Sequence, residues 1–234
     1  MTEHDSKGNC MKSIRIAHYS LLIVLLFGIV GEAQVTGNEY AARMAENSEH
    51  LRAYTHMRKT EIYWRGKLRS TQFAQIHYDP TSGREVSEPL GSTSDNATSH
   101  SGPISAMITK KVAGDVKENI GKLVALVGEY LPLNLDKLSA AATRSRTTPA
   151  LGGGSMSQIS DYVQSGDSMA LTMSAQSKLT NQVLIASSLE KKPVSIDVEY
   201  QSLPNGIVYP SSTVAKWEAK NLEVLAALGN TADE

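Results

Sequence analysis

The segment of this chain richest in potential chemistry is Gly166-Asp167-Ser168. The same order surrounds the nucleophile of one lipase and esterase class. There the serine follows a strand, opens a helix and is served by a histidine further along the chain. Here alternation puts Ser168 at the start of a strand, and no histidine follows His100. Glycine and aspartate are standard turn formers, so a hairpin turn is the better reading. His50, His56, His77 and His100 are scattered, with no HExxH and no regular carboxylate-histidine spacing. They read as solvated or packing side chains. Gly152-Gly153-Gly154 lacks the Lys and Ser/Thr that complete a phosphate loop and reads as a linker. Lys110-Lys111 and Lys191-Lys192 are isolated doublets, and Asp197 and Glu199 share the wet face of one strand, without the burial that tunes an acid/base pair. The residues therefore predict no catalytic group, no metal site and no cofactor.

Charge and length narrow the classes further. The 234 residues hold 23 Lys+Arg against 24 Asp+Glu, a formal charge of -1, which lacks the basic excess of a nucleic-acid binder. The length suits one domain plus a short extra segment. Cys10 is the single cysteine, which excludes a disulfide scaffold and a cysteine-based zinc site. Residues 21–30 (LLIVLLFGIV) follow Lys12, Arg15 and His18 and precede Gly31-Glu32-Ala33. That is the positive, apolar, small-residue order of a secretory signal, with cleavage expected after Ala33. The apolar run is about half the ~20 residues of a bilayer span, which makes an uncleaved anchor the weaker alternative. Residues 1–10 are polar, so translation is expected to begin at Met11. Residues 1–33 form the signal segment and 34–234 one cysteine-free exported domain, periplasmic or secreted. Their removal takes away Lys7, Lys12, Arg15, Glu3, Asp5 and Glu32 and leaves the charge at -1.

The elements that must position any site follow from periodicity. Tyr40, Met44, Leu51 and Tyr54 predict an amphipathic first helix over 38–54. The period then drops to two: Ile62 and Trp64 alternate with polar neighbours, and a second run extends from Leu68 to Tyr78. Asp79-Pro-Thr-Ser-Gly83 predicts a turn and 84–90 a return strand. Residues 91–103, apolar only at Ala97, read as a surface loop, in which the Asn96-Ala-Thr98 sequon is incidental. Val116, Ile120, Leu123, Val124, Val127 and Leu131 form a helical stripe that Pro132 ends, with a shorter helix over 134–144. Gly121, Ala125 and Gly128 beside that stripe predict a close approach to a sheet or partner. After Gly154, strands follow at 168–174, 179–189, 195–201, 207–217 and 220–228, separated by turns at 165–167, 191–193 and 204–206.

One helix, about three strands, a helical insertion and about five strands, joined as hairpins, predict an α+β fold. It is a curved antiparallel sheet, an incomplete β-barrel, with helices covering the concave face. The same order, with KTEIYWRGKLRSTQFAQIHYDPTSG, SGDSMALTM and PVSIDVEYQSLPNGIVY, resembles a group of uncharacterised secreted bacterial proteins similar to the periplasmic outer-membrane lipoprotein-carrier fold, over roughly 38–228. The resemblance implies a half-barrel that binds an acyl chain or another hydrophobic moiety, and a strand arginine that holds the lid, for which Arg58, Arg65 and Arg69 are candidates. On this reading the protein is a non-enzymatic carrier of lipid or lipoprotein acyl chains, compatible with transient membrane contact. Ile62, Trp64, Met169, Leu171, Met173, Ile196, Val198 and Tyr200 would line the cradle, and Leu123, Val127 and Leu131 the lid. Methionines 107, 156, 169 and 173 suit an adaptable apolar surface or a packed core equally. A structural or interaction module with a closed core is the other reading open to these residues. A hydrolase would rest on Gly166-Asp167-Ser168 alone.

Overall fold

Alternation and turn chemistry build one sheet. The computed structural model describes residues 37–79, 81, 85–94, 103–150 and 153–229, all within 36–234. The predicted signal segment, its Met11 start, Cys10, His100 and the Asn96 sequon lie outside the described residues. The elements run α1 (Gly37–Leu51), β1 (His56–Trp64), β2 (Lys67–Tyr78), β3 (Glu85–Ser94), α2 (Pro103–Tyr130), α3 (Leu135–Ala142), β4 (Arg146–Pro149) and β5 (Ser155–Ser160). β6 (Ser168–Met173), β7 (Thr180–Leu189), β8 (Lys192–Ser202), β9 (Val208–Trp217) and β10 (Leu222–Gly229) complete the order. All ten strands form one sheet in the order β3-β2-β1-β10-β9-β8-β7-β6-β5-β4, every recorded pair antiparallel. β3 and β4 are its edges, so the barrel is not closed. The fold is α+β, a curved sheet with helices on one face.

The helices are tied to that face by buried polar contacts as well as by packing. Tyr40, Met44 and Asn47 are buried at i, i+4 and i+7 along α1. The Asn47 amide donates to the Val208 carbonyl at 2.7 Å and accepts from the Val208 N–H at 2.7 Å, so it serves β9 as a strand partner would. Tyr40 shares a buried hydrogen bond with Thr180 of β7. On α2 the buried positions are Leu123, Leu126 and Tyr130. Val124, read as part of the apolar stripe, is 51% exposed. The helix is rotated so that Tyr130 points its hydroxyl into the sheet. α3 opens on Asn134, whose side chain accepts from the Lys137 N–H, and packs against α1.

Several elements depart from the sequence reading for identifiable reasons. Gly91–Ser94 is strand and not loop, paired with Ser70–Phe73, because an edge strand with exposed faces needs no apolar alternation. β4 and β5 were not expected: RTTP and SMSQIS carry little apolar pattern, and Pro149 is tolerated because β4 is an edge. The β7–β8 turn is Glu190-Lys191, one residue earlier than read, with both φ values positive at 53° and 61°. A two-residue hairpin needs that geometry to match strand twist. The small-residue strip of α2 meets nothing: a Cβ built at Gly121 or Gly128 finds open space within 4 Å. No close approach explains those glycines, so Gly121→Ala and Gly128→Ala are each expected to stabilise by about 0.8–1 kcal/mol, read as a raised midpoint in urea.

Candidate functional site

Register places the predicted cradle residues on one continuous surface. Met169 pairs with Ile185, Ile185 with Ile196, Ile196 with Ala215, Ala215 with Val224 and Val224 with Ile62, one row across six strands. Beside it Leu171 pairs with Val183, Val183 with Val198 and Val198 with Thr213. Over β6 to β9 this surface lies under the helices, which pack on β7 and β9. There Met169, Leu171, Met173, Ile196 and Val198 are buried, as is Leu123 of α2, while Tyr200, Val127 and Leu131 are half-buried. A charge at Leu171, 3% exposed, would therefore sit in the packed core.

Toward β10 and β1 the same face opens. Ile62 and Leu222 are buried, but Val224, Ala226, Leu228 and Trp64 are half-buried. The apolar surface thus extends from the packed core to a strip reachable from solvent.

At one end of that strip lies an aromatic–cationic group. Trp64 pairs with Leu222, and Leu222 with Trp217. The Arg65 guanidinium sits 4.5 Å from the Trp64 ring centroid and that of Arg69 sits 5.5 Å from it. Lys220 lies 5.3 Å over the Trp217 ring. Arg69 reaches Trp64 because β1 and β2 slip register there: Ile62 pairs with Ser70 but Tyr63 with Leu68, leaving Arg69 as the extra residue of a bulge. Its Nε is buried and has no hydrogen-bond partner, and the same is true of the Trp217 Nε1. Arg58, the third candidate lid-holder, donates to Glu85 and Ser87 of the edge strand β3. Among the described residues no recorded polar contact joins any of these three arginines to a helix. The bulge that aims Arg69 at Trp64 has no sequence signal.

Gly166-Asp167-Ser168 has a structural task. Gly166 takes φ 85°, and the Asp167 carboxylate, 3% exposed, accepts from the N–H groups of Tyr162 (2.6 Å), Val163 (2.9 Å) and Gln164 (2.9 Å). It also accepts from the Tyr130 hydroxyl at 2.6 Å, and Tyr130 contacts Ser187 at 2.9 Å. Burial alone would raise the Asp167 pKa. The hydrogen bonds from Tyr130, Gln164, Val163 and Tyr162 outweigh it and hold the carboxyl below its ordinary value. The carboxylate thus fixes the loop before β6 and the last turn of α2. Ser168 is exposed and, in its pairing with Ser160 and Ala186, lies on the opposite face of the sheet from the core row. His50 is on α1, and His56 and His77 are on β1 and β2. Among the described residues no three His, Cys, Asp or Glu come together as a metal set.

The opposite face carries a trough of about 700 Å³ that sequence reasoning missed. Its floor is made of small side chains, Ser168, Ala170, Ala186 and Ser195, in adjacent paired positions. Leu184, 43% exposed, rises at its centre. Asp197, on its wall, accepts from Gln182 at 2.9 Å, and Lys216 pairs with Glu223 at 3.6 Å. A depression made by short side chains across five strands leaves no mark in any one segment of sequence.

No family model matches the chain, and no curated protein matches it. Among solved structures it is similar to a DUF1329 family protein from Desulfovibrio piger, with 9% identity and a TM-score of 0.42 over 83% of this chain and 90% of that one. It is also similar to an outer membrane lipoprotein-sorting protein domain from Vibrio parahaemolyticus, with 8% identity and a TM-score of 0.31 over 85% of this chain and 95% of that one.

Proposed function

We propose that this is an exported, non-enzymatic protein that binds a hydrophobic ligand, a lipid or lipoprotein acyl chain, against the helix-covered face of its sheet. It would act as a carrier outside the cytoplasm, directed there by residues 1–33 and released by cleavage after Ala33, with lipoproteins or lipids as partners and transient contact with a membrane. The observation that carries this reading is the continuity of the apolar surface. The row from Met169 to Ile62 has no polar break, and at β10 its Val224 is half-exposed beside Ala226, Leu228 and Trp64. A chain laid along Leu228, Ala226, Val224 and Trp64 would meet apolar side chains and could reach the core row where Leu123, Val127 and Leu131 of α2 give way. At about 0.8 kcal/mol per buried methylene, ten methylenes give roughly 8 kcal/mol before the cost of association, so a Kd near 1 µM is about the best expected.

One observation favours the closed interaction module. Val198, Ile196 and Leu123 are 0–1% exposed, so the part of the surface under the helices is already filled. The two readings separate with cis-parinaric acid. Carrier binding is expected to give saturable uptake with energy transfer from Trp64, lowered in Trp64→Phe, where buried Trp217 remains. No uptake, with the fold intact by circular dichroism, would favour the closed module.

A further inference from the structure

We infer that Arg69 and Arg65, stacked on Trp64, form an anion subsite that takes the oxyanion headgroup of an amphiphile whose chain lies on the β1–β10 strip. This deepens the acyl-chain reading above and rests on it for the chain. The headgroup part stands on its own geometry.

A guanidinium over an indole face is held by the ring quadrupole and still presents its edge N–H groups outward, the geometry that meets a carboxylate or phosphate. Here two guanidinium groups share one ring, at 4.5 and 5.5 Å. Neither is in an ion pair among the described residues. The Arg69 Nε has in addition lost water without gaining a partner. A buried N–H donor left unbonded is costly, and a bulge that turns such a donor over an aromatic ring is a device for aiming a side chain. Lys67, paired with Trp64 across the hairpin, adds a third positive charge at this end. Glu223, opposite Tyr63 on β1, is paired with Lys216 at 3.6 Å. The half-exposed strip begins at the same tryptophan, so an anion held here would leave its chain on Val224 and Ala226.

The test is calorimetric titration of the full protein, delipidated, with laurate, dodecanol and inorganic phosphate. The wild type is expected to bind laurate at least about tenfold more tightly than dodecanol, as a charge-assisted contact requires. Arg69→Gln is expected to remove that difference while leaving dodecanol affinity unchanged. Arg65→Gln, in an exposed turn and safe for folding, is expected to reduce it in part. Equal affinity for laurate and dodecanol in the wild type, or an Arg69→Gln protein that keeps the preference, would overturn the subsite and spare the acyl-chain reading. Phosphate binding that depends on Arg69, without binding of either amphiphile, would support an oxyanion site whose source is a free anion and overturn the acyl chain. Binding of none of the three would overturn both.

Discussion

Asp167→Ala is expected to destabilise the protein by about 4 kcal/mol or more, a large share of the roughly 5–15 kcal/mol that holds a typical domain together. Three backbone N–H groups and the Tyr130 hydroxyl converge on this one carboxylate at 2.6–2.9 Å. Truncation takes the acceptor from three backbone donors, part-buried or buried, each such loss costing about 1–3 kcal/mol, and leaves the Tyr130 hydroxyl with Ser187 alone. Asp167→Asn should lie between, because one oxygen becomes an NH2 that faces donors. Tyr130→Phe should cost less, roughly 1.5–3 kcal/mol, since it removes one charge-assisted donor and leaves the backbone set intact. The pH dependence follows from the sign. The folded carboxyl has a pKa below that of the unfolded chain, so its contribution is complete above the unfolded value and disappears as pH falls through the folded one. Urea midpoints of the wild type should therefore fall in acid more steeply than those of Asp167→Asn. Parallel slopes would show that the carboxylate is not the anchor.

Gly154→Ala is the second large effect, expected to destabilise by about 3 kcal/mol, at the upper end of what overpacking costs. A Cβ at Gly154 would sit 2.0 Å from the Met173 carbonyl oxygen and 3.2 Å from its carbon. Both are backbone atoms of a paired strand, so no rotamer can relieve the clash. Ser155 pairs with Met173 directly beside it, and Ala150 donates to the Gly154 carbonyl at 2.9 Å. Accommodation must part β5 from β6 or open the β4–β5 turn. The same glycine-to-alanine change has the opposite expected sign at Gly121 and Gly128, where a methyl meets open space. Urea midpoints of the three variants measured side by side check the contrast. An unaffected Gly154→Ala protein would mean that β4 and β5 do not pack as described.

What the sequence made legible was the part of the fold where pattern and burial coincide. Ile196 and Val198 alternate with Ser195, Asp197 and Glu199 because β8 is central, with one face under helices. The β7–β8 and β8–β9 hairpins show in the turn residues at 191–193 and 204–206, whereas the β6–β7 and β9–β10 connections follow only from the strands they join. The sequence pattern shows β3 only to residue 90 and β4 not at all, because edge strands bury too little to show period two, and β5, SMSQIS, carries little apolar pattern of its own. The stripe on α2 was read one notch off: Val124 fits the helical period as well as Leu126 does, and only the reach of Tyr130 to Asp167 decides between them.

The candidate site divides in the same way. Alternation brings Ile62, Met169, Leu171, Ile196 and Val198 to one face, and it carries no information on whether that face is filled. Asp167 was read as a turn former because its four donors come from local backbone and from a tyrosine 37 positions away, neither of which forms a motif. Arg69 owes its position to a bulge, a slip of one residue between strands, which depends on the pairing and not on its neighbours in sequence. The trough on the outer face is likewise a property of five strands together.

Native mass spectrometry of the protein isolated from its own cells, before and after organic extraction, bears most directly on acyl-chain binding. The expected result is a mass above that of the polypeptide, lost on extraction, with an acyl species recovered in the organic phase. A bare polypeptide mass, from a folded protein that also takes up no cis-parinaric acid, would contradict it.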